Sequence, residues 1–294
     1  MSKTAIIIVG IVAIVFIFKF FQWLRERNHK GVAPVFPGYP IPTQEPVPEV
    51  EPIDLTGVEV NPKALEIYNL IILDGSGSML KLRKAARIGY NQTLNAIREA
   101  QKTYPNEQQH FASLFVFNND VKKVFENENI VKVQNLSVSQ YIPDGCTAMF
   151  DAIGLSLTNL EQRLSSNERT LAVVTIISDG MENASKEYDL GKVVSLIDKF
   201  KDMGCTINFI GPSYKVQDRL TYAEHMAKEL HIDNYLAFEY TDDGFRDAWD
   251  RQSDAALFFY GRVSEYEKDV RNMSEKERRE YYRRKSQEDK FYGL

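Results

Sequence analysis

The sequence predicts a doubly wound α/β fold on a mostly parallel sheet flanked by helices, preceded by a transmembrane helix. Two observations carry the α/β part. The apolar runs Leu70–Leu73 and Leu171–Ile177 each lead to an acid followed by glycine, Asp74-Gly75 and, one serine later, Asp179-Gly180. Runs that are apolar on every side read as strands buried on both faces, the habit of parallel sheets. Strand-like and helix-like stretches then alternate from about residue 64 to 263, as when helices cover both faces of a sheet. Roughly 200 residues suffice for one sizeable core. The anchor rests on a third observation, an apolar N-terminal segment taken up below.

The elements follow in order. After the first strand, the stretch Lys81–Lys102 sets Leu82, Ala85, Ala86, Tyr90, Leu94 and Ile97 at helical spacing. Phe111–Asn118 reads as a strand and Val121–Ile130 as a more polar edge strand. Ala148–Leu164 returns to helix, and the Leu171 strand follows. Helix Leu190–Met203 is closed by Gly204. Strand Cys205–Gly211, helix Val216–Leu230, strand Tyr235–Tyr240 and helix Phe245–Val263 complete the alternation.

The chemistry gathers where the two buried strands end. Asp74-Gly75-Ser76-Gly77-Ser78 lies at a strand's carboxyl end, where open α/β sheets place their ligands. Asp74, Ser76 and Ser78 offer hard oxygen donors, suited to Mg²⁺, Mn²⁺ or Ca²⁺ rather than zinc. Taken alone, D-x-S-x-S equally fits a Gly/Ser turn with a serine N-cap. Two further segments stand beside it. Asp144-Gly145-Cys146-Thr147 is a D-G turn leading into a helix that carries Asp151, and Ser178-Asp179-Gly180 closes the second strand.

The order D-x-S-x-S, then G-x-T-x-x-x-D-A, then apolar strand plus S-D-G resembles a von Willebrand factor A domain with its metal-ion-dependent adhesion site. The bacterial and phage members are most similar, through Thr147–Ile153 and Asp179–Ser185. The resemblance spans about residues 64–263. It implies that Ser76 and Ser78 ligate a cation directly and that Thr147 does so when the site is engaged. Asp74 and Asp179 would act through coordinated water. It further implies Mg²⁺, or Mn²⁺ or Ca²⁺, as cofactor, and a protein partner that supplies an acidic residue to the metal. Thr147 would adjust as that residue enters.

Other candidates point to structure rather than chemistry. Asp144 is ordinary turn chemistry, and Glu182 and Asn183 fit a loop cap at the rim. His29, His110, His225 and His231 lack any zinc-site spacing, and neither a P-loop nor a G-x-S-x-G elbow occurs. A Mg-dependent phosphoryl-transfer enzyme with Asp74 as nucleophile is the alternative. Its D-x-D would here have Ser76 in place of the second acid, which removes the acid–base carboxylate. The expectation is a binding module with no catalytic residues, no small-molecule substrate and no nucleic-acid partner.

The N-terminus poses a separate problem. Residues 5–24 are apolar apart from Lys19 and Gln22. Twenty residues span roughly 30 Å as a helix, the thickness of a bilayer core. Gly31-Val32-Ala33 stands beyond a charged stretch and before Pro34, a poor cleavage context. An uncleaved single-pass anchor with a basic flank, residues 1–30, is therefore expected. Lys19, Arg25, Arg27 and Lys30 follow the apolar core, which places the bulk of the chain in the cytoplasm. Cys146 and Cys205 belong to opposite edges of the expected sheet, too far apart for a disulfide, and fit a reducing compartment.

Residues 31–63 read as a Pro-rich acidic linker; Gly31–Pro52 holds seven of the chain's eleven prolines. Extended, it reaches several tens of ångströms at about 3.1 Å per residue. Residues 264–294 read as a charged, solvated helix or tail opened by a capping box at Ser274–Glu277. The net charge is −5, and the first thirty residues hold five Lys/Arg against Glu26 alone, so the remainder is more acidic still. Nucleic-acid binding is accordingly disfavoured.

Overall fold

A computed structural model describes residues 49–166, 169–216 and 219–293. The expected anchor at 5–24 and the linker up to residue 48 lie outside the described residues. Among the described residues no helix is long and apolar enough to cross a membrane.

The elements are β1 (Leu65–Asp74), a 3-10 turn (Gly77–Leu80), α1 (Arg83–Thr103), β2 (Gln108–Phe117), β3 (Val121–Asn129), α2 (Met149–Ser166) and β4 (Thr170–Ile177). There follow α3 (Leu190–Asp202), β5 (Thr206–Pro212), α4 (Tyr222–Glu229), β6 (Asn234–Phe238), α5 (Asp242–Asp269) and α6 (Glu275–Glu288). The sheet has six strands in the order β3-β2-β1-β4-β5-β6. All neighbours are parallel except β3, which returns antiparallel along β2 at the edge. This is the doubly wound arrangement expected, and its switch point falls between β1 and β4.

Alternation along β1 divides the core. Leu65, Ile67, Ile71 and Leu73 pack with α1 and α5, whereas Tyr68, Leu70 and Ile72 pack with α2, α3 and α4. Helices α1 and α5 approach closely because position 89 is glycine: a Cβ there would lie 2.0 Å from Trp249 Cγ.

Several boundaries differ from expectation for physical reasons. Strand β2 begins at Gln108, three residues early, because Gln108 and His110 are buried polar residues satisfied by a network that composition does not reveal. Helix α4 begins at Tyr222 rather than Val216. Thr221 caps it by accepting from Glu224 N–H, while Val216 N–H bonds the Leu220 carbonyl ahead of it. Helix α5 runs on to Asp269, past the expected end at Val263.

Both flanking segments touch the domain. Arg87 of α1 clasps Glu49 with two hydrogen bonds of 2.5 Å, Asn95 bonds the backbone of Glu51 and Ile53, and Asn135 bonds the carbonyl of Val50. The capping box at Ser274 forms as expected. Helix α6 is not solvated all round, however: Tyr282 is buried and donates to Glu267 at 2.8 Å, and Phe291 beyond the helix is also buried.

Candidate metal centre

The site is built from the residues that leave the sheet at its switch point. Leu73 of β1 pairs with Ile177 of β4, so Asp74 and Ser178-Asp179 are next out along the same edge. The Asp74 side chain organises its own turn: Oδ1 accepts from Ser76 N–H at 2.7 Å, the geometry of an Asx turn. Its Oδ2 accepts from the Ser178 hydroxyl at 2.6 Å. Tyr141 donates to the Asp74 carbonyl at 2.6 Å, fixing the backbone as well.

The two motif serines stand side by side, Ser76 Oγ 3.0 Å from Ser78 Oγ, and Ser78 donates to Asp179 Oδ1 at 2.6 Å. Thr147 joins them across Gly180. A Cβ at position 180 would lie 3.2 Å from Thr147 Oγ1, 3.4 Å from Ser78 Oγ and 3.9 Å from Asp74 Oδ2. Three oxygens from three separate segments thus surround one point that glycine leaves open. All five expected residues come together. Asp74, Ser76, Thr147 and Asp179 are buried, and Ser78 is exposed, so the cluster opens to solvent on its Ser78 side.

Burial pushes the Asp74 carboxyl up to about 6, against the hydrogen bonds from Ser178 and Ser76 that favour its charged form; the charge of Asp179 adds to the rise. Burial raises Asp179 as well, opposed by the donors Ser78 and Tyr240. A divalent cation would supply the counter-charge that favours two desolvated carboxylates in their charged form.

The donor set fits such an ion. Neighbouring vertices of an octahedron with Mg–O bonds of 2.0–2.1 Å stand about 3 Å apart, the spacing of the two serine oxygens. Because Ser78 gives its proton to Asp179, its lone pairs remain for a ligand role. Among the described residues no group of three or more His, Cys, Asp or Glu is arranged to hold a metal. Beside its two carboxylates the cluster offers the hydroxyls of Ser76, Ser78 and Thr147 as donors.

Several residues of the site escaped the sequence reading. Ser178 was visible only as the S of S-D-G, with nothing to mark its bond to Asp74. Tyr240, just beyond β6, lies with its hydroxyl 2.8 Å from both Asp179 Oδ2 and the Ser78 carbonyl; no spacing in the chain announces that contact. Tyr222 of α4 donates to the Gly180 carbonyl. Glu182 caps as expected, accepting from Ala184 and Ser185 N–H and from Phe150 N–H at the start of α2. Asp151 instead accepts from the backbone of Lys186, Glu187 and Tyr188.

The strand order and the convergence of D-x-S-x-S, Thr147 and Asp179 at the switch point agree with the von Willebrand factor A arrangement that the sequence resembles. No family model and no curated protein matches the sequence. Solved structures with a similar fold include the pilus adhesin SpaC from Lactobacillus rhamnosus GG in an open conformation, at 15% identity and a TM-score of 0.48 over 69% of this chain and 31% of that one. Manganese-loaded TRAP protein of Plasmodium vivax matches at 16% identity, with a TM-score of 0.38, over 60% and 69% of the two chains. Proximal thread matrix protein 1 from the mussel byssus, with a zinc-occupied MIDAS motif, matches at 18% identity and a TM-score of 0.42 over 67% and 46%. The chain spans about a third of the adhesin's length. At these identities and scores the functional reading rests on the site's own geometry.

Proposed function

We propose that this chain is a divalent-cation-dependent protein-binding module, tethered to a membrane by residues 5–24 with its domain on the cytoplasmic side. Ser76, Ser78 and Thr147 would hold Mg²⁺, or Mn²⁺ or Ca²⁺, directly, and Asp74 and Asp179 would hold its water ligands. When bound, the ion supplies a Lewis-acid position that an acidic residue of a protein partner can fill. The observation that carries this reading is the convergence of Thr147, Ser78 and Asp74 oxygens on the open point beside Gly180.

The residues themselves fix the donors rather than react. Each Asp74 oxygen accepts one hydrogen bond, from Ser76 N–H or from Ser178, which leaves a lone pair for a metal-bound water, and the residue is fully buried. A carboxylate so enclosed is poorly placed as a phosphoryl-accepting nucleophile, which favours binding over the phosphoryl-transfer alternative. The tether rests on the apolar length of residues 5–24, and the cytoplasmic side on the basic residues that follow it.

Calorimetric titration of the detergent-solubilised full chain with Mn²⁺ tests the metal. Ser76→Ala is expected to abolish uptake while the circular dichroism spectrum stays unchanged; a folded variant that binds as tightly as the parent would refute the assignment. Protease protection in intact cells tests the side, and digestion of the domain from outside would reverse the orientation.

A further inference from the structure

Thr147 is held by its backbone, and the holder is not a metal ligand. Its N–H donates to Asn183 Oδ1 at 2.9 Å. Its carbonyl accepts from Asn183 N–H at 3.0 Å and from Ala184 N–H at 3.2 Å. The next turn is pinned in the same way: Phe150 N–H donates to Glu182 Oε2 at 2.8 Å and Asp151 N–H to Ser185 Oγ at 3.0 Å. In return, Asp151 accepts the N–H groups of Lys186, Glu187 and Tyr188 at 2.8–2.9 Å. The chain from 182 to 188, which begins three residues after Asp179, is thus bonded along its length to the turn and helix start that carry Thr147.

The D-x-S-x-S loop meets its surroundings through Ser178 to Asp74, Ser78 to Asp179, Tyr141 to the Asp74 carbonyl, Gly75 N–H to the Phe117 carbonyl at 2.7 Å, Asp144 N–H to the Gly75 carbonyl at 2.9 Å, Gly77 N–H to the Gly145 carbonyl at 3.1 Å, and Tyr240; none of these reaches the Thr147 backbone. Asn183 itself is exposed, so its amide oxygen does not fill the core. Among the described residues its side chain bonds only Thr147.

We propose that Asn183 is the positioning residue of the metal centre. It fixes the Thr147 backbone to the Asp179 loop, so that Thr147 and Asp179 form one rigid half of the site. Thr147 then adjusts to an incoming carboxylate by rotating its side chain about Cα–Cβ, not by moving its loop. The proposal rests on the metal-binding reading above. Outer-shell groups that orient metal ligands typically contribute 10–100-fold to affinity, and the loss of Asn183 should fall in that range.

The test uses the full chain in detergent, with Mn²⁺ alone as the probe and two substitutions. Asn183→Leu removes the acceptor, and Asn183→Asp keeps an oxygen at that place. Asn183→Leu is expected to lower Mn²⁺ affinity at least tenfold with an unchanged Tm, whereas Asn183→Asp binds at least as tightly as the parent. A readout independent of metal is hydrogen exchange at the Thr147 amide, which should quicken in Asn183→Leu and stay protected in Asn183→Asp. If the parent binds Mn²⁺ and Asn183→Leu binds equally well, or if both variants lose affinity alike, the positioning role is overturned and the metal site stands. If Asn183→Leu lowers the Tm and its affinity falls only in proportion to the unfolded fraction, the role is likewise overturned. If the parent takes up no Mn²⁺, the metal reading fails and the positioning role with it.

Discussion

The phenol of Tyr240 lies 2.8 Å from Asp179 Oδ2, while Ser78 donates to Oδ1 of the same carboxylate at 2.6 Å. Asp179 is thereby held at both oxygens by donors from two different loops. Tyr240 also precedes Thr241, the N-cap of α5, so the candidate metal centre is connected to the longest of the described helices through one hydroxyl.

Replacing that hydroxyl isolates its contribution. Tyr240→Phe keeps the ring and removes only the donor, leaving Asp179 held at Oδ1 by Ser78 alone. The expected result is about a tenfold loss of Mn²⁺ affinity by calorimetry, the lower end of outer-shell effects. Global stability should fall by no more than about 1 kcal/mol, the usual net value of one hydrogen bond.

Gly180→Ala tests whether the open point is the binding position. Its methyl would come to 3.2 Å from Thr147 Oγ1 and 3.4 Å from Ser78 Oγ, contacts that crowd both oxygens. Gly180 has no positive φ, so backbone strain is not the effect measured. Mn²⁺ uptake is expected to fall at least tenfold while urea denaturation stays close to the parent. Unchanged uptake would move the metal away from this point.

Of the five candidate positions, Asp74 and Asp179 were legible because an apolar run stops and a glycine follows, whereas Ser76, Ser78 and Thr147 were legible through the motif order that resembles a von Willebrand factor A domain. Leu70–Leu73 and Leu171–Ile177 announce buried parallel strands, and a doubly wound sheet must bring the carboxyl ends of such strands to one edge. The supports were not legible. Ser178, Asn183 and Tyr240 act through contacts set by the fold, and residue type alone makes them a strand end, a loop and a surface aromatic. The start of β2 was misplaced for a related reason: Gln108 and His110 look like loop residues until their partners are known.

Those partners make His110 a pH-sensitive part of the core. Its Nε2 lies 3.0 Å from Gln108 Oε1 and its Nδ1 3.4 Å from Asn69 Nδ2. Asn69 turns its amide oxygen to the Tyr260 hydroxyl at 2.7 Å and its nitrogen to the Phe111 carbonyl at 2.8 Å. Nδ1 therefore faces a donor and has no acceptor for a second proton. Burial brings the ring's pKa down to about 3. The unfolded chain takes up this proton near pH 6.5 and the folded one does not, so stability is full above pH 6.5 and falls as pH drops towards 3. The loss reaches about 2 kcal/mol at pH 5. Urea melts across this range should show that slope, and a folded His110→Gln variant should flatten it.

The C-terminal segment has the composition of a solvated charged tail. Phe291 is buried there, its ring centroid 5.5 Å from that of Phe259 on α5, and its N–H donates to Asn234 Oδ1 at the start of β6 at 2.9 Å. Around it, Tyr282 reaches Glu267, and Arg169 forms an ion pair with that same carboxylate. The segment therefore closes the α5 side of the core instead of trailing from it. Phe291→Ala removes a buried aromatic ring and leaves a cavity, which typically costs 3–5 kcal/mol. A drop of about 3 kcal/mol in urea unfolding is expected, with Mn²⁺ affinity unchanged in the folded fraction. A free tail would lose nothing on the same substitution, so an unaltered midpoint would return residues 289–293 to the solvent.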